Sequence, residues 1–337
     1  MKRNSYFSIK FENESVIYLD QTRLPLEEKY IETDDYERIA SAIERLEIRG
    51  APLIGIAAAY ALALSIKGEN QNTEERFQTA YQRLKRTRPT AVNLFAALSV
   101  MREEFINRED SDDSYNLLLI KAKEIHKKDT EYCDKIGKHG QAVFKKKSTV
   151  LTHCNTGRLA TGGDGTAFGV IKSAFENNLL KFVYADETRP LLQGSRLTAY
   201  ELEKCGIPFA LQTDSSAALL MKENKIDLVI TGADRIALNG DSANKIGTYS
   251  LALLSFHHNI PFYIAAPSTT IDRSIASGDD IEIEYRNRSE LFSIRDTQIT
   301  SPSYDAFTPA FDITPAHLIR GIITEEGVFN FPYNFLR

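Results

Sequence analysis

Hydrophobic and polar positions change their spacing along the chain. Residues 5–32 hold short alternating runs separated by Asn, Glu and Pro: YFSIKF, SVIYLD and EEKYIET. Alternation with a period of two predicts strands, here a small antiparallel sheet. Apolar residues then recur every three or four positions, which predicts helices over 33–47, 52–66, 74–86, 91–107 and 113–143. Residues suited to begin or end these helices are Thr33, Asp34, Asp35, Pro52 and Thr90 as starts and Gly68 as a stop.

From about residue 148, short apolar runs alternate with helical patterns. The runs are STVLTH, LKFVYAD, IPFALQT, IDLVITGAD and IPFYIAAP. This alternation predicts βαβ units and a parallel sheet covered by helices on both faces. Residues 277–311 have the weakest pattern and predict loop with short strands. We therefore expect an α/β protein of two domains: a mainly helical one with a small antiparallel sheet over residues 1–143, and an α/β domain over 144–337.

Composition narrows the classes of partner. The 41 basic and 46 acidic residues are mixed along the chain and give a net charge of -5, which argues against nucleic-acid and membrane surfaces as partners. No apolar run is long enough for a signal peptide or a membrane span. The three cysteines, Cys133, Cys154 and Cys205, lie far apart without a C-x-x-C pair. That usage fits a reducing cytoplasm rather than disulfides or a metal site, and small molecules or other protein chains are the expected partners.

In an open parallel sheet, ligands bind beyond the carboxyl ends of the strands. Residues that directly follow the predicted strands are therefore candidates for a site: His153, Cys154, Asn155, Asp186, Glu187, Asp214, Gly232, Ala233, Asp234 and Pro267. His153 and Cys154 are neighbours along one strand, so their side chains point to opposite faces. A Cys-His dyad from these two residues is therefore not expected.

Cys154 and Asp234 are the candidates for acid-base chemistry. Cys154 precedes a Gly-rich loop and a predicted helix over 166–177, whose amides favour a thiolate, but a lone cysteine is more often a small buried core residue. Asp234 ends the most apolar strand, where it either exchanges a proton with a ligand or caps the next turn. Because both follow strands of one sheet, they could face each other across a small ligand.

Three segments could bind an anion. The segment RGAP places Arg49 before a helix start at Pro52, where free amides and the helix dipole favour negative charge. Arg88 precedes a helix start in the same manner, and NGDSANKIG brings Asn244 and Lys245 to the start of a later helix. Either arginine could instead be an ordinary surface charge. The run ATGGDGTAFG lacks the spacing of a dinucleotide fingerprint, which argues against a nucleotide-dependent oxidoreductase.

Several segments, in order along the chain, resemble the methylthioribose-1-phosphate isomerases. This family belongs to a wider group that includes ribose-1,5-bisphosphate isomerases and translation-initiation exchange-factor regulatory subunits. The matching segments span nearly the whole chain: IRGAPLIGIAAAYALAL, RPTAVNLF, LTHCNTGRLATGGDGTAFGVI, ADETRPLLQGSRLTAYEL, TGADRIALNGDSANKIGTYSLALL, IPFYIAAPSTTID and PAFDITPAHLIRGIITEEGV. The resemblance implies a Rossmann-like C-terminal domain beside a mainly helical N-terminal domain, and a homodimer.

Carried over position by position, the resemblance implies that Cys154 and Asp234 are the catalytic pair. It also implies a substrate-binding set, with its arginines and its Asn-Lys pair near the phosphate: Arg49, Gly50, Ala51, Arg88, Gln193, Asn244 and Lys245. The implied reaction is the aldose-ketose conversion of S-methyl-5-thioribose 1-phosphate to S-methyl-5-thioribulose 1-phosphate. This is a step of methionine salvage, and thus of amino-acid biosynthesis, and it needs no cofactor and no metal.

The chain departs from the common pattern of the family at three positions. Relatives usually carry small or aromatic residues where this chain has Arg158 and Asp164, and an aromatic residue where it has Ala96. These positions would shape the site for the sugar's 5-substituent, so 5-deoxyribose 1-phosphate and ribose 1,5-bisphosphate are alternative substrates. A non-catalytic regulatory subunit is a further alternative, which the complete motifs HCNTG and GADRI argue against.

Overall fold

The structure of the 337-residue chain is a computed structural model that describes residues 6–68, 72–89, 91–109, 113–295 and 297–335. The described chain divides into two compact units. The first holds the described residues up to Asp134 together with Arg158–Gly165, and the second holds Lys135–Gly157 and the described residues from Thr166 onward. The domain boundary expected between residues 143 and 144 stays a prediction.

The first unit contains the small antiparallel sheet and the helices that the sequence predicts. The strands are β1 (Ile9–Glu12), β2 (Ser15–Leu19) and β3 (Tyr30–Thr33), with β2 in the middle. The helices are α1 (Tyr36–Glu44), α2 (Ala51–Leu64), α3 (Thr73–Lys85), α4 (Val92–Ile106) and α5 (Ser114–Gly140), which continues beyond the end of the unit. Each predicted helix in this region is confirmed to within three residues at either end.

The predicted helix starts explain where α1 and α2 begin. Asp35 caps α1, because its side chain accepts a hydrogen bond from the amide of Glu37 at 2.9 Å. Pro52 lies in the first turn of α2, where its missing amide hydrogen costs nothing. α2 is apolar all round and is buried from Leu53 to Leu64, so it forms the centre of this unit's core. Thr90, the expected start of α4, lies outside the described residues.

The second unit is built of short strands alternating with helices. Its strands are β4 (Ser148–Thr152), β5 (Leu180–Asp186), β6 (Phe209–Gln212), β7 (Leu228–Thr231), β8 (Arg235–Ala237), β9 (Ser242–Lys245), β10 (Phe262–Ala265), β11 (Ile271–Asp272), β12 (Ser293–Ile294), β13 (Thr297–Gln298), β14 (Phe311–Thr314), β15 (Gly321–Thr324) and β16 (Gly327–Asn330). Its helices, apart from the end of α5, are α6 (Ala167–Glu176), α7 (Ala199–Cys205), α8 (Ala217–Lys222), α9 (Thr248–His257) and α10 (Ser289–Phe292).

A seven-stranded sheet with the order β16-β15-β10-β7-β4-β5-β6 forms the middle of this unit. Neighbouring strands are parallel except for β15 and β16, so the predicted parallel sheet is confirmed. From β4 the chain adds β5 and β6 on one side, and it then returns to add β7, β10 and β15 on the other. The order of a doubly wound Rossmann sheet results, and its switch point, the place where the chain changes direction across the sheet, lies between β4 and β7.

Smaller sheets complete the second unit. One has the order β11-β8-β9-β14, and β12 pairs with β13 in a short hairpin. The hairpin, α10 and a 3₁₀ turn over Gly278–Asp280 are the regular elements described within 277–310, which agrees with the weak pattern of that segment. Across the described residues of both units, none of the helices combines the length and the apolar character needed to cross a bilayer.

Candidate active site

The switch point brings together the segments that hold Cys154 and Asp234. β4 and β7 are adjacent parallel strands, paired through Val150 with Leu228 and through Leu151 with Val229. Cys154 follows β4 by two residues and Asp234 follows β7 by three. Both strands are buried along their whole length, so the residues just beyond them are where the second unit can present polar groups to a ligand.

The backbone of Cys154 is held in a strained conformation. Its φ of 62° lies in the left-handed region, which costs a residue with a side chain about 1–3 kcal/mol. Two threonine hydroxyls secure it: the Cys154 amide donates to Oγ1 of Thr188 at 2.9 Å, and Oγ1 of Thr198 donates to the Cys154 carbonyl at 2.5 Å. Cys154 is only 8% exposed. The surrounding fold therefore holds the backbone of Cys154 in this one conformation.

Thr188 is itself positioned by two aspartates. Its amide donates to Oδ1 of Asp214 at 2.7 Å, and its hydroxyl donates to the carbonyl of Asp186 at 3.1 Å. Neither Thr188 nor Thr198 was among the residues expected at the site. No local pattern could have identified them, because their role comes from contacts with residues about 30 to 45 positions earlier in the chain.

His153 and Asp186 form a buried pair next to this turn. Nδ1 of His153 lies 2.8 Å from Oδ2 of Asp186, and Nε2 lies 2.9 Å from the carbonyl oxygen of Ile246. Burial works to lower the pKa of His153, but the hydrogen bond and the charge of Asp186 outweigh it and raise that pKa. Burial raises the pKa of Asp186. Because both ring nitrogens are engaged, His153 has none left for the thiol of Cys154, in agreement with the expectation that they form no dyad.

Among the described residues, His153, Asp186 and Asp214 bring possible metal-ligand atoms within 4.8 Å of one another. Each carboxylate already accepts hydrogen bonds from the protein. Asp214 accepts from the amides of Thr188 and Arg189 at 2.7 and 2.8 Å, and Asp186 accepts from Nε2 of Gln212 at 2.7 Å. A hydrogen-bond network therefore accounts for these contacts without an ion.

Gln193 has the character of a ligand-binding residue. It follows β5 and precedes the π-helical turn Gly194–Thr198, a feature that is common at functional sites. Its side chain is buried, and its Oε1 finds no hydrogen-bond partner within the described part of the chain. A buried amide oxygen without a partner is costly, and a substrate hydroxyl would satisfy it.

Asn244 and Lys245 lie on a strand, and the expectation that they stand at a helix start is wrong. They end β9, which pairs with β14, and α9 begins only at Thr248. Asp312 on β14 already accepts the amides of Gly247 and Tyr249 at 2.7 and 3.0 Å. Two amides at this end of α9 are therefore occupied by a side-chain carboxylate.

An anion at Asn244 and Lys245 would therefore be bound by their side chains rather than by helix amides. Nδ2 of Asn244 donates to Oγ1 of Thr248 at 2.9 Å. Nζ of Lys245 donates to the carbonyl of Ala310 at 3.0 Å and lies 4.8 Å from the centre of the Phe311 ring. The amide of Asp234 donates to the carbonyl of Ala243 at 2.9 Å, which places β9 directly beside the Asp234 segment.

Four of the expected substrate ligands belong to the first unit: Arg49, Gly50, Ala51 and Arg88. Cys154, Gln193, Asp234, Asn244 and Lys245 belong to the second. Arg49 and Arg88 stand just before α2 and α4, in agreement with the predicted helix starts. Gly50 caps α2 with a φ of 95°, and a Cβ atom there would stand 2.4 Å from Cα of Ala160, so only glycine fits.

Arg158 and Asp164 form an ion pair within the first unit. Arg158 also donates to the carbonyl of Tyr6 at 3.0 Å and lies 5.5 Å from the centre of its ring. The pair lines a cavity of about 210 Å³ together with Phe7, Ser8, Ile9, Thr130, Asp134, Gly162 and Gly163. The two charges largely neutralise each other there. Ala96 is exposed on α4.

Comparisons with known proteins agree with this architecture. The model of the initiation factor 2 subunit family matches residues 47–331. A methylthioribose-1-phosphate isomerase of Carboxydothermus hydrogenoformans is 49% identical over 327 residues, which are 96% of this chain and 95% of that protein.

Two solved structures superpose on nearly the whole chain. The crystal structure of 5-methylthioribose 1-phosphate isomerase from Pyrococcus horikoshii OT3 has a TM-score of 0.92 and 38% identity, and the match covers 99% of this chain and 97% of that one. The structure of the delta subunit of translation initiation factor eIF-2B from A. fulgidus has a TM-score of 0.87 and 40% identity, with coverage of 98% and 97%. These superpositions confirm the α/β fold class predicted from the sequence.

Proposed function

We propose that the chain, which belongs to the initiation factor 2 subunit family, is an aldose-ketose isomerase. It matches methylthioribose-1-phosphate isomerases over nearly its whole length. Its substrate is S-methyl-5-thioribose 1-phosphate and its product is S-methyl-5-thioribulose 1-phosphate, an activity that serves methionine salvage. The observation that carries the proposal is the position of Cys154 and Asp234 beyond the two strands that flank the switch point.

The chemistry starts from a closed ring. The oxygen on C1 is esterified with phosphate, so the sugar cannot open by losing a hydroxyl proton from that oxygen. Asp234, as the acid, protonates the ring oxygen, and the bond from C1 to that oxygen breaks. Cys154 takes the proton from C2 and returns it to C1. Asp234 then accepts the proton of the 2-hydroxyl group as the C2 carbonyl forms, and both side chains end as they began.

Several side chains of the chain are suited to bind the substrate. Lys245 supplies a positive charge and Asn244 an amide for the phosphate, and Arg49 and Arg88 add guanidinium groups able to bind two phosphate oxygens at once. The unpartnered Oε1 of Gln193 accepts a hydrogen bond from a sugar hydroxyl. No step requires a metal or a cofactor.

A second candidate function comes from the A. fulgidus neighbour, which is named as a translation-factor subunit. A subunit of that kind needs no acid-base pair. The strained, doubly secured turn at Cys154 favours the enzyme, because such strain is retained where a side chain must point in one direction.

Assays of the purified, folded protein decide between these functions. The three sugar phosphates to compare are S-methyl-5-thioribose 1-phosphate, 5-deoxyribose 1-phosphate and ribose 1,5-bisphosphate, with ketose formation measured for each. We expect the highest kcat/KM for the first. Folded protein that converts none of the three would refute the isomerase proposal. The homodimer and the cytoplasmic location remain proposals, and sedimentation analysis tests the first.

A further inference from the structure

His153 connects the two segments that the proposed reaction uses. It directly precedes Cys154, and its Nε2 lies 2.9 Å from the carbonyl oxygen of Ile246, which directly follows Lys245. The ring also packs on Gly247, where a Cβ atom would stand 3.0 Å from Cε1 of His153. The imidazole therefore bridges from the end of β4, next to Cys154, to the end of β9, next to Lys245.

The groups that contact His153 and Asp186 determine where this pair carries its hydrogens. A carbonyl oxygen only accepts hydrogen bonds, so Nε2 of His153 carries a hydrogen that it donates to Ile246. The 2.8 Å contact between Nδ1 and Oδ2 of Asp186 holds a second hydrogen, on either atom. Oδ1 of Asp186 accepts a hydrogen bond from Nε2 of the Gln212 side chain at 2.7 Å. With exposures of 1% and 0%, the pair is a closed unit with every polar atom in use.

A short path leads from this pair to the cysteine. The carbonyl of Asp186 accepts the hydroxyl of Thr188, and the same hydroxyl oxygen accepts the amide of Cys154. The contact between His153 and Asp186 thus fixes the end of β4, which leads into Cys154, to the end of β5. The contact between His153 and Ile246 fixes the end of β4 to the residue that directly follows Lys245, the last residue of β9.

We propose that His153 is a positioning residue whose two ring nitrogens separately set the placement of Cys154 and of the Asn244–Lys245 pair. The Nδ1 contact orders the turn of the acid-base residue, and the Nε2 contact orders the phosphate ligands. The inference rests on the proposed function and adds to it a residue that touches neither the substrate nor the reacting atoms.

Two substitutions separate the contacts. His153→Asn keeps a donor where Nδ1 stands and loses the reach to Ile246, whereas His153→Gln keeps a donor near the place of Nε2 and loses the bond to Asp186. We expect His153→Asn to raise the KM for the sugar phosphate roughly tenfold with little change in kcat. We expect His153→Gln to lower kcat roughly tenfold with little change in KM.

Two further measurements do not depend on turnover. Hydrogen exchange over residues 244–249 should quicken in His153→Asn, and the rate of iodoacetamide alkylation of Cys154, followed by mass spectrometry, should change in His153→Gln. His139→Asn is the matched control, because Nδ1 of His139 also contacts a carbonyl oxygen, that of Thr324, at 3.0 Å. The control should match the wild type in every measurement.

The outcomes distinguish the inference from the proposed function. Equal effects of both substitutions on kcat and KM, or unfolding of both while His139→Asn stays folded, would overturn the positioning role. Wild-type protein without activity would refute the isomerase, and the exchange and alkylation results would still show whether His153 orders the two segments separately.

Discussion

Gly232 and Thr156 are in direct contact: a Cβ atom at position 232 would stand 2.6 Å from Cγ2 of Thr156. Gly232 directly follows β7, and Thr156 lies two residues after Cys154. The contact shows how closely the chain segments beyond β4 and β7 approach at the switch point. The motifs HCNTG and GADRI, far apart in the sequence, are therefore packed against each other through a residue that must be glycine.

Replacement of Gly232 tests this approach. In Gly232→Ala the new methyl group meets Cγ2 of Thr156, so we expect a loss of about 1–3 kcal/mol in the free energy of unfolding and a lower kcat. Thr156→Ser removes Cγ2 but keeps Oγ1, which accepts the amide of Phe168 at 3.1 Å. The double variant should recover most of both losses. Urea unfolding and turnover measure them, and a fully active, fully stable Gly232→Ala would show that the contact does not matter.

Removal of either reacting group should abolish most turnover. Cys154→Ser and Asp234→Asn each change few atoms, so we expect kcat to fall by about 10²- to 10⁴-fold with an unchanged circular dichroism spectrum. Cys205→Ser, at the end of α7, is the matched control and should retain wild-type turnover. Activity that survives Cys154→Ser would assign the hydrogen transfer to another group.

Loss of the charge at Lys245 should weaken substrate binding. Lys245→Met keeps an apolar stem over the Phe311 ring and removes the ammonium group, so we expect at least about a tenfold rise in KM. KM should also depend less on ionic strength than in the wild type. Lys225→Met removes an exposed charge paired with Glu223 and serves as control. An unchanged KM in Lys245→Met would exclude this residue from the phosphate site.

The stability of the protein should fall with rising pH because of His153. The pKa of His153 is raised in the folded state, so the folded protein holds this proton more tightly than the unfolded chain does. The resulting stabilisation is complete below pH 6.5, the ordinary value, and is lost as the pH rises through the raised pKa. One proton changes the free energy of unfolding by at most about 1.4 kcal/mol per pH unit.

Urea unfolding measures this contribution to the free energy of unfolding. The wild type and His153→Asn are compared below pH 6.5 and well above it. The difference between the two proteins should shrink as the pH rises. The raised pKa of Asp186 acts in the same direction, so the comparison reports on the pair. A difference that grows with pH would contradict the assigned direction.

The Arg158-Asp164 pair should influence the choice of 5-substituent. Asp164→Asn removes the charge that neutralises Arg158, leaving a cation at the cavity of about 210 Å³. We expect the ratio of kcat/KM for ribose 1,5-bisphosphate to that for S-methyl-5-thioribose 1-phosphate to rise, because the first carries an anionic 5-phosphate. Arg158→Met with Asp164→Asn removes both charges and should reverse the rise. An unchanged ratio would place the 5-substituent elsewhere.

The elements of this fold could be predicted because their signals are local. The period of apolar positions located β1 to β3 and the five helices, and the alternation after residue 148 indicated the parallel sheet. Asn244 and Lys245 were misplaced because a helical period begins directly after them. Their strand starts by pairing with β8, but the two residues themselves pair with β14, more than 60 residues away.

The support of the site could not be predicted for the same reason. Thr188, Thr198 and Asp312 act through hydrogen bonds to segments distant in the chain, and their types are common in loops of every kind. Chemistry-bearing residues at strand ends can be found from a sequence, because strand ends are where open sheets bind ligands. The residues that hold them in place require the tertiary structure.

Arg158–Gly165 bear on how this protein can be divided. These residues belong to the first unit, yet both flanking segments belong to the second, so between residues 6 and 335 the described chain passes from one unit to the other three times. A fragment that ends at Asp134 would lack Ala160, against which Gly50 packs at the start of α2. No single cut yields two complete halves. Gene fragments, fusions and proteolytic dissection should therefore treat the chain as one indivisible piece.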